Sequence, residues 1–175
     1  FNKVRARCPH ASFYVVGARP DARVKKLAHF PGVFVTGSVP DIRPYLAHAK
    51  LAVAPLRIAR GTQNKVLEAM AMAKIVIASH EAAQGISAEP NYELIVAKNA
   101  AEFTEQVVMQ LQRAPSELIG SRARLRVVKD YSWQANLAHI GQLLRPASTA
   151  FSNDQRNEST TTKANVLPFP TRKSA

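Results

Sequence analysis

Cys8 is the only cysteine, so the chain can form no internal disulfide and no multi-cysteine metal site. Its five histidines (His10, His29, His48, His80 and His139) are scattered and never stand in the i, i+4 pairing of metal ligands on a helix, so no metal site is expected. There is no apolar run long enough to cross a bilayer and nothing like a signal peptide, which points to the cytoplasm. Acids are scarce: 12 Asp and Glu stand against 24 Lys and Arg, for a net charge of +12. A surface that basic attracts phosphates, whether in nucleic acid, an anionic membrane or a nucleotide-linked small molecule. The positive charge is spread along the chain. Its nearest approach to a cluster, Arg122, Arg124, Arg126 and Lys129, has the spacing of a solvated helix face.

With 175 residues, 46% of them hydrophobic, the chain can bury one core of ordinary size. Its apolar pattern alternates between strand-like runs and helical stretches. Ser12–Val16, Val33–Thr36, Leu51–Ala54, Ile75–Ala78 and Glu93–Val96 are the expected strands. Helices are expected over Asp21–His29, over Ile42–Ala49, and again between Thr62 and Ile75. This order predicts βαβ units, that is, an α/β fold with a parallel sheet covered by helices on both faces. Right-handed crossovers would bring the βα loops to one sheet edge, where such folds bind ligands. After residue 100 only helices are expected. One carries Phe103, Val107 and Leu111 on a stripe, one starts at Pro115, and one is capped by Ser132 with Trp133, Leu137, Ile140 and Leu144 on one face. The domain is expected to span residues 1–144, and the Ser-, Thr- and Asn-rich residues 145–175 form a disordered tail by composition. Phe1, Val4 and Cys8 have helical spacing, as if the chain opened inside a helix of a longer protein.

The segment RIARGTQNKVLEAMAMAKIVIAS, residues 57–79, carries one acid, Glu68. Thr62 can cap the helix that follows, leaving the N–H groups of Gln63, Asn64 and Lys65 pointing outward. Gly61 lets backbone approach a ligand closely. Arg57, Arg60 and Lys65 place positive charge at the positive end of the helix dipole, a conflict that a bound anion relieves. A diphosphate site fits this pattern. Glu68 lies one turn further along, on the face of Asn64 and Lys65, at a reach suited to ribose hydroxyls. The alternative is an exposed Glu68 that pairs with Lys65 or only solubilises the helix. Val66, Met70 and Ala73 form the opposite face, expected to meet the sheet.

These residues resemble the donor-binding segment of retaining glycosyltransferases with two Rossmann-like domains, the GT-B architecture of glycosyltransferase family 4, group 1. FYVVGARP, VFVTGSVPDIRPYLAHAKLAVAPL and YSWQANL agree with that family in order and spacing, so the resemblance covers residues 1–144. The branch it most resembles is the sugar transferase of exosortase-type (PEP-CTERM) exopolysaccharide systems in bacteria. The resemblance implies that Glu68 binds the nucleotide ribose and that Asn64 and Lys65, with the first-turn N–H groups, face the diphosphate; Arg60, Gly61, Thr62 and Gln63 complete the expected binding segment, Arg60 as a phosphate ligand in place of the family's usual residue. It places Val39 against the base and Gly17 beside the donor cleft.

The implied donor is a UDP- or GDP-sugar, with no further cofactor, and the implied activity is hexosyl transfer. The acceptor would be a polysaccharide or lipid-linked glycan, reached through an N-terminal domain that this chain lacks. No catalytic residue is assigned, and a fragment without that domain is expected to be inactive alone. Cytoplasmic placement at the inner face of the plasma membrane, with peripheral contact to anionic lipid, completes the expectation. Three departures stand out. Arg60 occupies the position of the family's first glutamate, Ala73-Lys74-Ile75 replaces a Gly-x-Pro, and the main Arg/Lys phosphate clamp belongs to the part not present. A nucleotide-sugar epimerase of the same fold is the nearest alternative. A nucleic-acid-binding module is the other, but the strands lack the interleaved aromatics of a stacking platform, so nucleic acid is not an expected partner.

Overall fold

The computed structural model describes residues 1–114 and 118–137. In chain order the elements are α1 (Asn2–Arg7), β1 (Phe13–Val16), α2 (Ala22–Lys26) with a 3-10 turn (Leu27–His29), β2 (Val33–Gly37), α3 (Arg43–His48) and β3 (Leu51–Ala54). They continue with α4 (Asn64–Ala71), β4 (Ile75–Ser79), α5 (His80–Ala83), β5 (Ile95–Ala97), α6 (Ala100–Gln112) and α7 (Leu118–Tyr131). Every strand pairing among them is parallel, as the βαβ pattern predicts. The helix expected at Asp21 begins there, with the Asp21 carboxylate accepting from Val24 N–H at 2.8 Å. The helix expected from Pro115 is α7, although residue 115 itself lies outside the described residues.

β4 is the centre of the structure. Val76 and Ala78 point into one core with Val66, Ala69 and Met70 of α4 and Ala123 of α7. Ile77 points the other way, into a core with Val4 of α1, Ile95, and Val107 and Val108 of α6. This is the two-residue period of a strand covered on both faces. Each fully buried side chain here, such as Met70 or Ile77, contributes about 1.5–3 kcal/mol. On α4 the buried residues Val66, Ala69 and Met70 follow i, i+3, i+4 spacing, which leaves Asn64, Lys65 and Glu68 exposed.

The strands form two sheets, β1-β2 and β3-β4-β5. Among the described residues, one edge each of β1, β2, β3 and β5 is therefore unpaired. Helices tie the two sheets together. On one side the Phe1 ring lies 5.7 Å from Phe13 of β1, tilted to it, while Val4 packs beneath β4 and β5. On the other, Tyr45 of α3 lies 6.2 Å from Tyr14 of β1 while the neighbouring Leu46 packs on the α4 core.

Three of the four basic residues on α7 correct the expectation of a solvated face. Arg126 reaches the buried Glu93 at 2.9 Å and Asp130 at 3.0 Å. Arg122 lies 3.9 Å over the Tyr92 ring, and Arg124 donates to the Ala71 carbonyl at the end of α4. A helix with few buried apolar residues is thus held by its cations, and only Lys129 remains as a solvated charge. Ala73 is a second correction. It stands beyond the end of α4, exposed, with φ +55, and does not meet the sheet. Ser132 starts a new helical turn, its hydroxyl accepting from Ala135 N–H at 3.2 Å. The rest of that helix and the tail at 145–175 lie outside the described residues. None of the described helices is long and apolar enough to cross a membrane.

Candidate functional site

β3 ends at Ala54, and Pro55 prevents its ladder from continuing. The chain then crosses the top of the β3-β4-β5 sheet in a loop over residues 56–62. Arg57, Ile58, Arg60, Gly61 and Thr62 of this loop are all exposed. Gly61 adopts φ +63, a left-handed conformation that glycine takes without strain, and a Cβ added there would meet nothing within 4 Å. The backbone at this turn is open to a ligand.

The helix cap differs from the sequence expectation. Gln63, not Thr62, is the N-cap residue of α4, and it makes no side-chain cap hydrogen bond. Its amide instead donates to the carbonyls of Arg60 and Gly61, each at 3.1 Å, and so closes the glycine turn from behind. The Gln63 carbonyl accepts from Val66 and Leu67 at 2.9 and 3.2 Å. Among the described residues, the N–H groups of Gln63, Asn64 and Lys65 find no partner. An uncapped first turn with unsatisfied donors and a positive dipole end favours an anion. Arg57, Arg60 and Lys65 are exposed in the loop and the first turn, and none forms an ion pair among the described residues. Glu68 is exposed one turn behind, and it too has no ion pair there. The pairing with Lys65 is not formed, and an exposed, unpaired Glu68 agrees with a helix-solubilising residue as well as with a ribose ligand.

The loop rests on the element that follows β4. The Ser79 hydroxyl donates to the Leu56 carbonyl at 2.6 Å and accepts from Ala82 N–H at 3.3 Å, so one side chain caps α5 and pins the start of the loop. Just past α5, Gly85 packs directly on the Gly61 carbonyl and the Thr62 amide. Neither Ser79 nor Gly85 stands out in the sequence as a binding residue. A serine two residues before Glu81 was the available signal for a cap, whereas a close backbone approach leaves no mark in a single sequence. His80 is exposed at the start of α5 and lies 3.2 Å from the Gln84 side-chain amide.

Of the other residues singled out, Gly17 and Val39 belong to the β1-β2 sheet. Gly17 follows β1 and donates to the Gly37 carbonyl at 3.2 Å, while Val39 is half-buried in the loop after β2. They stand after parallel strands, as the sequence placed them. Among the described residues no hydrogen bond joins either to the α4 segment.

Among curated protein sequences there is no significant match. Solved structures resemble the chain at the level of fold. A mutant of S. aureus TarM in complex with Fondaparinux, alpha-GlcNAc-glycerol and UDP superposes with a TM-score of 0.67 at 20% identity, over 82% of this chain and 31% of that one. A second TarM structure gives 0.64 at 20% identity, over 82% and 30%. A glycosyltransferase from Rickettsia africae gives 0.62 at 17% identity, over 83% and 44%. This chain therefore spans less than half the length of each of these proteins, and its α/β architecture matches one portion of their GT-B fold. The sequence match is more direct: residues 1–113, which include every residue of the cation-rich loop and Glu68, fit the model of the glycosyl transferases group 1 family, and the chain belongs to that family.

Proposed function

We propose that this chain is the donor-binding half of a glycosyltransferase that moves a hexosyl group from a UDP- or GDP-sugar to a polysaccharide or lipid-linked acceptor. The observation that carries the reading is the open glycine turn at Gly61, accompanied by the exposed Arg57, Arg60 and Lys65 and running into uncapped helical N–H groups. Those groups match a diphosphate in charge and in hydrogen-bonding sense. Glu68, exposed and unpaired one turn back, is available to accept hydrogen bonds from ribose hydroxyls. UDP is named with the TarM structure, and a nucleoside diphosphate on the α4 start of this chain would be the corresponding ligand.

In this role the chain's contribution to catalysis is electrostatic. Negative charge grows on the diphosphate as the glycosidic bond breaks. Preorganised N–H groups and cations at α4 would stabilise that charge more in the transition state than in the ground state. Arg60 occupies the place where the family has a glutamate near the donor sugar, which makes it a phosphate ligand in this reading. The acceptor would be held by an N-terminal domain. Membership of the exosortase-associated branch, a role in bacterial exopolysaccharide synthesis and work at the cytoplasmic face of an anionic membrane belong to the same proposal.

Titration with UDP and GDP tests it, comparing the parent chain with Glu68→Ala. Losing a hydrogen bond to a charged group costs about 1.5–3 kcal/mol, so the variant should bind about tenfold more weakly or worse. Glu68 is exposed, so melting should be unchanged. Equal affinity in the two proteins would reject the ribose role.

A further inference from the structure

We infer that Gly85 and Ser79, neither of which is part of the phosphate-facing surface, are positioning residues that set the height and tilt of the Gly61 turn. The inference rests on the donor-site reading above. Loop 56–62 is exposed along most of its length and belongs to no ladder; Leu56 packs on the α4 core, and the Gln63 amide ties the Gly61 turn to the start of α4. Two further contacts come from the element after β4. The Ser79 hydroxyl holds the Leu56 carbonyl at 2.6 Å, at the loop's entrance. At its far end, a Cβ on Gly85 would stand 3.1 Å from the Thr62 nitrogen and closer still to the Gly61 carbonyl, so any side chain would displace them. Gly85 is not at positive φ, so alanine is tolerated by its own backbone. The effect of a methyl group there is purely one of contact with the loop.

Because the loop is exposed and Gly85's neighbour within it is backbone, the loop must move to admit a Cβ. That movement lifts the Gly61 turn away from the Gln63, Asn64 and Lys65 N–H groups with which it would share a phosphate. Gly120 supplies an internal comparison. It is buried in α7 with its Cα pressed on the Ala73 carbonyl, so a methyl group there pushes α7 off α4, away from the loop. Of the two glycines, one seats a binding loop and the other seats a helix.

The test titrates the full chain with UDP and GDP to millimolar concentration and melts each variant in parallel. Gly85→Ala should weaken nucleotide binding about tenfold with little change in melting temperature, the loss expected when one charge-assisted contact goes out of reach. Gly120→Ala should lower the melting temperature and leave affinity, measured well below that temperature, at the parent value. Ser79→Ala should weaken binding in the same sense as Gly85→Ala, and Ser79→Thr, which keeps the hydroxyl, should restore it. A folded Gly85→Ala protein that binds as the parent does would overturn the inference. Should Gly85→Ala fail to fold, the Ser79 pair decides: equal affinity in Ser79→Ala and the parent overturns it as well. If the parent binds neither nucleotide, the donor-site reading fails on its own. The positioning role is then judged by amide chemical shifts, which Gly85→Ala must move at Gly61 and Thr62 but not in α1.

Discussion

At Ala73 the backbone turns left-handed, with φ +55, directly after α4. An L side chain in that conformation crowds its own carbonyl at a cost of about 1 kcal/mol, which glycine avoids. Ala73→Gly should therefore stabilise the protein by about 1 kcal/mol, seen as a rise of a few degrees in a thermal melt. The resemblance puts Ala73 where the family usually has glycine. It does not show that the left-handed turn survives the replacement, because only coordinates reveal φ. Thr62 and Gln63 illustrate a similar limit. A threonine before a helix is a good cap in isolation, but Gln63 binds the Arg60 and Gly61 carbonyls, and that non-helical contact decides where α4 begins. Glu68 was legible because the period of α4 settles which face is buried, and Val66, Ala69 and Met70 hold that face.

At the scale of elements, α7 is held on by arginine. Glu93 is buried, and burial raises its carboxyl pKa, but the Arg126 guanidinium and the Glu89 N–H outweigh this and hold it below the usual glutamate value. A carboxyl depressed in the native state adds stability at neutral pH. That contribution is lost as pH falls from the ordinary glutamate range, about 4.3, through the lower native value. Denaturant melts between pH 7 and pH 3 should show a loss of stability on the acid side that Glu93→Gln flattens. Arg126→Met leaves the Glu93 charge buried without its main partner and should cost about 3 kcal/mol at pH 7. Such an ion pair joins residues 33 apart, and no local pattern announces it. The four basic residues on α7 were visible from the start; the tertiary partners that make three of them structural were not.

For the molecule as a whole, the strands, their parallel sense and their covering helices followed from periodicity, because burial on both faces imposes a run of apolar residues. Which strand lies beside which did not follow. Pairing joins segments distant in sequence, and β1-β2 and β3-β4-β5 are separate ladders. Length bears on activity as well. The chain covers 30% to 44% of the solved proteins it resembles, and in the proposed division of labour the acceptor is held outside the donor half. Incubated alone with a UDP- or GDP-sugar and a lipid-linked glycan, it should form no glycoside product; measurable turnover would refute the division of labour proposed for it. The unpaired rims of the two sheets have a further consequence, for how the chain behaves when concentrated. A bare strand rim templates the addition of another strand, and proteins blunt such rims with lysine or proline. LAVA in β3 is bracketed by Lys50 and Pro55 and β5 is followed by Lys98, whereas FYVV in β1 and VFVTG in β2 have neither beside them, so self-association of copies should start at the β1-β2 sheet despite the mutual repulsion of twelve net charges.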